Sequence, residues 1–213
     1  MIIAYFDGIR KGERQTVRKD YFQHGHHRMK PKRGGMAMME RLSAGWRGRR
    51  VLLVGGENGL CDAMKAMLTE IGARATCAGT DADAQTLCRA LGKGRTSAVL
   101  LLEEPKKGSL PERMAALLTV MTETREAGVP LFMLLSDVRS SPIQTAALGV
   151  SRGLLGDPVR TIILRRGADC RMQDVVYGAL LLGVRAFEKT ELNGTFNLYD
   201  AQMLHEEGKN ESC

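Results

Sequence analysis

Short apolar runs alternate with amphipathic stretches along most of this chain. The runs have strand length and predict strands at 51–54, 73–78, 97–102, 130–135, 160–165 and 195–199. Apolar residues between them recur at helical spacing and predict helices at 59–71, 82–92, 111–127, 142–155 and 172–187. The strands are apolar almost throughout, which is typical of parallel strands buried on both faces.

Six strands with five intervening helices predict one α/β domain with a single doubly wound parallel sheet, Rossmann-like, in the order 3-2-1-4-5-6. Asp81 and Asp83 are placed to cap the second helix, and Pro111 to open the third. The helix at 172–187 has the clearest apolar face, made of Met172, Val175, Val176, Ala179, Leu180, Gly183, Val184 and Phe187.

The polarity of the two ends predicts the limits of this domain. We expect the domain to span residues 49–202, after a basic, flexible segment at 1–48 and before a polar tail at 203–213. The string Lys32-Arg-Gly-Gly35 can be encoded by a purine-rich sequence resembling a ribosome-binding site, and methionines at 36, 38 and 39 follow it. We therefore interpret residues 1–35 as a candidate translated leader, and they carry no weight in the fold prediction.

The net charge of +7 is concentrated at one end of the 213 residues. The first 50 residues hold 13 Lys and Arg against 4 Asp and Glu, so the remainder is slightly acidic and nucleic-acid binding is not indicated. The five cysteines show no paired spacing, which fits a reducing cytoplasm. No apolar run approaches the length of a membrane helix, and Asp7 interrupts what would be a signal peptide.

Three histidines between residues 24 and 27 have two interpretations. They would be metal ligands only if a further Cys or His cluster completed the set, and none is nearby. The sequence therefore favours a solvated segment and predicts no metal site.

The segment Val51–Cys61 carries the strongest functional signal. A strand ends in closely spaced glycines and a helical pattern begins at once, so backbone N–H groups of the turn and helix N-terminus can bind a phosphate. The predicted cofactor-binding residues of this turn are Gly55, Gly56, Asn58, Gly59 and Leu60. A plain tight turn is the alternative, and Glu57 inside the turn opposes an anion.

Asp81 follows the glycine turn by about 20 residues, beyond the second strand. An acid at that place can bind an adenosine ribose, and we include it among the predicted cofactor-binding residues. The alternative is that Asp81 is the N-cap of the helix at 82–92.

These motifs, in this order, resemble the short-chain dehydrogenase/reductase superfamily, including its epimerase-like members, over residues 50–202. The glycine turn resembles the family's Thr-Gly-x-x-x-Gly-x-Gly turn, with Cys61 in place of the third glycine. Three further segments are similar to the family. Leu134-Leu-Ser136 resembles the strand end that bears the family's catalytic serine, and Leu148-Gly-Val-Ser-Arg152 falls where the family has its Tyr-x-x-x-Lys motif. Gln173-Asp-Val-Val176, followed by Asn193–Leu198, resembles the family's last helix and strand.

The resemblance implies NAD or NADP as cofactor and Ser136 and Arg152 as candidate catalytic residues. At two of the family's catalytic positions this sequence has different residues. Leu148 stands where the family has its proton-transferring tyrosine, and a leucine cannot transfer a proton. Arg152 replaces the lysine and is not its equivalent. The span from Gly55 to Leu148 is short, as though one strand–helix unit were missing. These departures suggest a degenerate member.

Three functions remain open from the sequence. The first is a non-catalytic or regulatory nucleotide-binding relative, forming a homodimer through helices 142–155 and 172–187. The second is an active NAD(P)-dependent oxidoreductase or epimerase with an atypical site. The third is a receiver-like signalling domain, in which Glu103 and Ser136 would end the third and fourth strands, although the acidic cluster for magnesium is lacking.

Overall fold

The computed structural model describes residues 33–55, 59–103, 105, 107–137, 159–167, 170–189, 192 and 194–198. Within these ranges the chain forms five helices and six strands. They are α1 Arg33–Trp46, β1 Arg50–Val54, α2 Gly59–Glu70, β2 Arg74–Ala78, α3 Ala84–Leu91, β3 Ala98–Leu101, α4 Leu110–Glu126, β4 Leu131–Asp137, β5 Arg160–Arg166, α5 Met172–Glu188 and β6 Gly194–Asn197.

All six strands are parallel and form one sheet in the order β2-β1-β3-β4-β5-β6. Helices α1, α2 and α5 pack on one face of the sheet, and α3 and α4 pack on the other. The predicted fold class, a doubly wound α/β domain with a Rossmann-like parallel sheet, is confirmed.

The predicted strand order 3-2-1-4-5-6 is wrong, because β2 is the edge strand and β3 lies between β1 and β4. The side chains explain the difference. β2 exposes Arg74, Thr76 and Cys77, whereas every residue of β3 is buried. A polar strand is tolerated at an edge, and a wholly apolar strand needs cover on both faces.

This order fixes where the direction of winding reverses. The chain passes from β1 through α2 to β2 on one side, then through α3 to β3 on the other side of β1. The reversal therefore lies between β1 and β3. Removing the third strand from the order 3-2-1-4-5-6 and renumbering gives 2-1-3-4-5, which is the order of β1 to β5 here, and β6 extends the sheet beyond β5.

Helix α1 was not predicted from the sequence, and it lies before the expected domain boundary at residue 49. It packs on α5, where Trp46 is fully buried and donates its Nε1–H to the carbonyl oxygen of Leu180 at 2.9 Å. The Trp46 ring contacts Phe187 edge to face at 5.1 Å between ring centroids. The Trp46 indole also packs directly on the backbone of α5 at residue 183. This is possible because residue 183 is glycine, and a Cβ there would overlap the indole.

The predicted helix starts have mixed outcomes. Pro111 lies in the first turn of α4 as predicted, behind a capping box of Ser109 and Glu112. The N-cap of α3 is Asp83, which accepts a hydrogen bond from the Thr86 N–H at 2.6 Å. The alternative that Asp81 caps this helix is therefore wrong.

The apolar face of the last long helix is largely as predicted. Val176 and most of its companions in α5 are buried, but Met172 at the first position is 47% exposed. The predicted helix at 142–155 lies outside the described residues. No helix in the described part of the chain is both long and apolar enough to span a bilayer.

Candidate functional site

Gly55 lies at the carboxyl edge of the sheet, beside the reversal of winding. Its N–H donates to the Ala78 carbonyl of β2 at 3.0 Å, while the Val54 carbonyl accepts from Leu102 N–H beyond β3 at 2.8 Å. A Cβ at residue 55 would lie 3.3 Å from Leu102 Cβ, so glycine permits this close approach. The end of β1 is thus held between both neighbouring strands.

Gly59 opens α2 and is exposed. The N–H groups of a first helical turn have no partner within the helix, so they are available to an anion. Leu60 is buried in the core, and only its main chain can face a ligand. Gly56 and Asn58, the other predicted cofactor-binding residues of this turn, lie outside the described residues, as does Glu57.

Met172 lies beside the candidate site, a position that the sequence pattern does not predict. A Cβ at Gly59 would lie 3.1 Å from Met172 Cε and 3.7 Å from its Sδ, so the start of α5 contacts the start of α2. The apolar pattern predicts that Met172 lies on the buried face of its helix, which is wrong because the residue is 47% exposed. Its position at the first residue of α5 was the available signal, because helix N-termini after parallel strands lie at the carboxyl edge.

Cys61 lies in the first turn of α2. Its side chain is buried, and its thiol donates a hydrogen bond to Cys77 Sγ of β2 at 3.4 Å. Burial, together with that hydrogen bond, raises the pKa of the Cys61 thiol to about 12. Cys61 is therefore a neutral thiol filling the space between α2 and the edge strand.

Asp81 lies in the turn after β2, and its side chain is 74% exposed. One carboxylate oxygen folds back over Gly79, 2.6 Å from where a Cβ of that residue would stand. The Lys107 ammonium lies 3.9 Å from the other oxygen. Since Asp83 is the helix cap, the Asp81 carboxylate remains at the carboxyl edge as a hydrogen-bond acceptor.

Ser136 lies near the carboxyl end of β4 and is buried, with 3% of its surface exposed. It is in register with Arg165 of β5. Strand alternation places its side chain on the α3 and α4 side of the sheet, together with Phe132 and Leu134. Arg152, the second predicted catalytic residue, lies outside the described residues, as does Leu148.

Basic residues lie at the carboxyl end of β5, and they were not among the predicted site residues. Arg165 and Arg166 end that strand, and Arg171 is the N-cap of α5 beside Met172. Parallel strands bring their carboxyl ends to one edge, so these cations share that edge with Gly55 and Gly59. Their positive charge favours an anionic ligand beside β5, and it is opposed at the same edge by Glu103 after β3 and Asp137 at the end of β4. Two arginines directly after an apolar run were the available signal.

Two further features concern a tyrosine on α5 and possible metal ligands. Tyr177 is half-buried against the core, and burial raises the pKa of its phenol. No group of three or more His, Cys, Asp or Glu side chains that could hold a metal ion occurs among the described residues. The histidines at 24–27 lie outside them.

Comparison with solved structures identifies the fold. The chain is similar to an epimerase from Methanothermobacter thermautotrophicus, with a TM-score of 0.56 and 13% identity, over 75% of this chain and 74% of that chain. It is similar to a short chain dehydrogenase from Leptospira borgpetersenii with bound NAD+, with a TM-score of 0.53 and 11% identity, over 82% and 96%. A third similar structure is an NADH-dependent reductase complexed with NAD, with a TM-score of 0.50 and 9% identity, over 74% and 97%.

These likenesses show that the chain has the Rossmann-like fold of those proteins. No protein-family model matches the chain, and a sequence search of curated proteins gives no match.

Proposed function

We propose that this chain binds a nicotinamide dinucleotide at the carboxyl edge between β1 and β3, as a relative of short-chain dehydrogenases and epimerases. One observation carries the proposal. The reversal of winding falls beside the Gly55–Gly59 turn, and ligands of open α/β sheets bind at such a switch point. The bound NAD+ of the similar dehydrogenase and the bound NAD of the similar reductase support the choice of ligand.

In this proposal the diphosphate lies against the first turn of α2. The main-chain N–H groups of Gly59 and Leu60 donate to its oxygens, and the helix dipole favours its charge. Arg171 adds positive charge from the start of α5, and the Met172 thioether limits the space above the turn.

Asp81 is the proposed ribose contact. Its exposed carboxylate follows β2 and can accept hydrogen bonds from the ribose hydroxyls. A 2′-phosphate in the same place would be repelled by that carboxylate, and Lys107 offsets only part of the repulsion. We therefore propose NAD rather than NADP as the preferred cofactor.

The proposed role is non-catalytic or regulatory. The family positions for proton transfer hold Leu148 and Arg152, and the Ser136 side chain is buried. Without an acid at the substrate oxygen, a bound nicotinamide would lack its usual partner in hydride transfer. Homodimerisation through residues 142–155 and 172–187 stays a prediction. The apolar side of α5 already contacts α1 and α2 within the same chain.

The test is a titration with NADH and NADPH, followed by cofactor fluorescence, with a hydride-exchange assay on a panel of carbonyl compounds. Trp46 is a poor probe because it is buried between α1 and α5. The proposal predicts saturable NADH binding without turnover. Turnover would favour the active oxidoreductase or epimerase, and binding of neither cofactor would contradict the proposal.

A receiver-like domain is the second candidate, because β1 to β5 have the order 2-1-3-4-5 found in that class as well. The parallel strand β6 beyond β5, reached through α5, extends the sheet past that arrangement. Acetyl phosphate labelling separates the two. The dinucleotide proposal predicts no phosphorylated aspartate or glutamate.

A further inference from the structure

Cys61 and Cys77 form a sulfur pair between the first turn of α2 and the edge strand β2. Their Sγ atoms are 3.4 Å apart, across a sequence separation of 16 residues. Neither is in a disulfide. The pair is held by its surroundings, since Cys61 is part of the packed core and Cys77 is paired in register with Leu53 of β1.

We propose that this pair is a redox modification site, which a peroxide converts into an intramolecular disulfide tying α2 to β2. A disulfide has an S–S length of about 2.05 Å, so the two sulfurs need to approach by roughly 1.4 Å. Small rotations of the two side chains supply such a movement. Cys61 lies in the same first turn of α2 as the proposed nucleotide contacts Gly59 and Leu60, but formation of the disulfide does not require a bound nucleotide.

The two sulfurs differ in exposure, which sets their roles. Cys77 is exposed, whereas Cys61 is only 7% exposed, so the oxidant meets Cys77 first. The Cys77 thiolate attacks one peroxide oxygen and the O–O bond breaks. The departing hydroxide takes a proton from solvent and becomes water, and Cys77 becomes a sulfenic acid.

Cys61 then resolves the sulfenic acid. Its sulfur attacks Cys77 Sγ, the S–O bond breaks, and the Cys61 proton leaves with the hydroxyl group as water. In sum two thiols are oxidised to one disulfide and one peroxide is reduced to two waters. The raised pKa of Cys61 keeps it protonated at neutral pH, so the second step is the slower one.

The experiment uses the full chain carrying Cys88→Ser, Cys170→Ser and Cys213→Ser, which leaves Cys61 and Cys77 as the two cysteines. The protein is treated with hydrogen peroxide and digested with trypsin. We expect peptides 51–65 and 75–89 to be joined by a disulfide, with two thiols lost per chain. We also expect the thermal midpoint to rise by roughly 5–10 °C, because the bond closes a loop of the denatured chain.

A matched pair of variants in the same background separates the two roles. With Cys61→Ser, a sulfenic-acid trap such as dimedone should label Cys77, and no linked peptide should form. With Cys77→Ser, Cys61 should stay a thiol. Since Cys77 is exposed, that second variant is expected to fold normally. The proposal is overturned if the linked peptide is absent while Cys77 is oxidised further, or if the linkage joins two chains.

Discussion

The Met172 thioether lies against Gly59, so the first residue of α5 contacts the first residue of α2. The contact brings together two helices that lie far apart in sequence, at the edge of the sheet where Gly55 follows β1. It sets the space above the candidate phosphate-binding turn. Substitutions at this contact should therefore change ligand binding more than folding.

Gly59→Ala is expected to weaken NADH binding roughly tenfold, or about 1.4 kcal/mol. The added methyl group would meet Met172 Cε at 3.1 Å and narrow the space for a diphosphate. The thermal midpoint should change little, because alanine suits a helix and the end of the methionine side chain can move. Cofactor fluorescence and a thermal melt measure the two effects. In the double variant Gly59→Ala, Met172→Ala, affinity should partly recover; equal affinity in all variants would contradict the placement.

Asp81→Asn should reduce the preference for NADH over NADPH. Removing the negative charge relieves its repulsion of a 2′-phosphate, and Lys107 at 3.9 Å then becomes an available cation. The measurement is the ratio of the two dissociation constants. Asp83→Asn is the control, since Asp83 caps α3 and should leave the ratio unchanged. If Asp81→Asn leaves the ratio of the NADH and NADPH dissociation constants unchanged, Asp81 does not contact the ribose.

Gly183→Ala should destabilise the fold by about 1–3 kcal/mol, because the new Cβ would overlap the Trp46 indole within a packed interface. Denaturant unfolding measures the change. Gly167→Ala is the matched control, since its Cβ would make only an ordinary contact with Cys170 Sγ at 3.6 Å. Equal stability of the two variants would show that α1 does not pack closely on α5.

The Asp83 cap predicts a pH-dependent stability. The hydrogen bond from Thr86 holds the pKa of the Asp83 carboxyl below its ordinary value of about 4. Its stabilisation is therefore present above that value and lost as the pH falls through the lowered pKa of the folded state. Asp83→Ala should lower the thermal midpoint at pH 7, and the difference from wild type should shrink towards pH 2. A constant difference across this range would contradict the account.

Most elements of the fold could be predicted from periodicity, since their apolar patterns are determined by burial. The order of the strands was missed, although β2 and β3 held the evidence in their polar and apolar side chains. Helix α1 was missed because it begins in a basic, glycine-containing segment. Its stability comes from packing Trp46 on Gly183, a contact distant in sequence.

The site was predictable where it depends on local geometry. The strand, turn and helix around Gly55 and Gly59 were predictable because they succeed one another in the chain. The binding roles of this turn and of Asp81 stay predictions. Arg166, Arg171 and Met172 were missed because the end of β5 and the start of α5 are brought to the edge that holds the turn only by the pairing of the strands. The Cys61–Cys77 contact was missed for the same reason, since it needs the pairing of β1 with β2.

The central claim is that main-chain N–H groups at the start of α2 bind a dinucleotide. The most direct measurement is a titration of ¹⁵N-labelled protein with NAD+, following the amide resonances of Gly55, Gly59 and Leu60. We predict saturable shifts of these three resonances, with smaller changes along α4. Unchanged resonances at saturating NAD+, or shifts confined to another part of the chain, would contradict the claim.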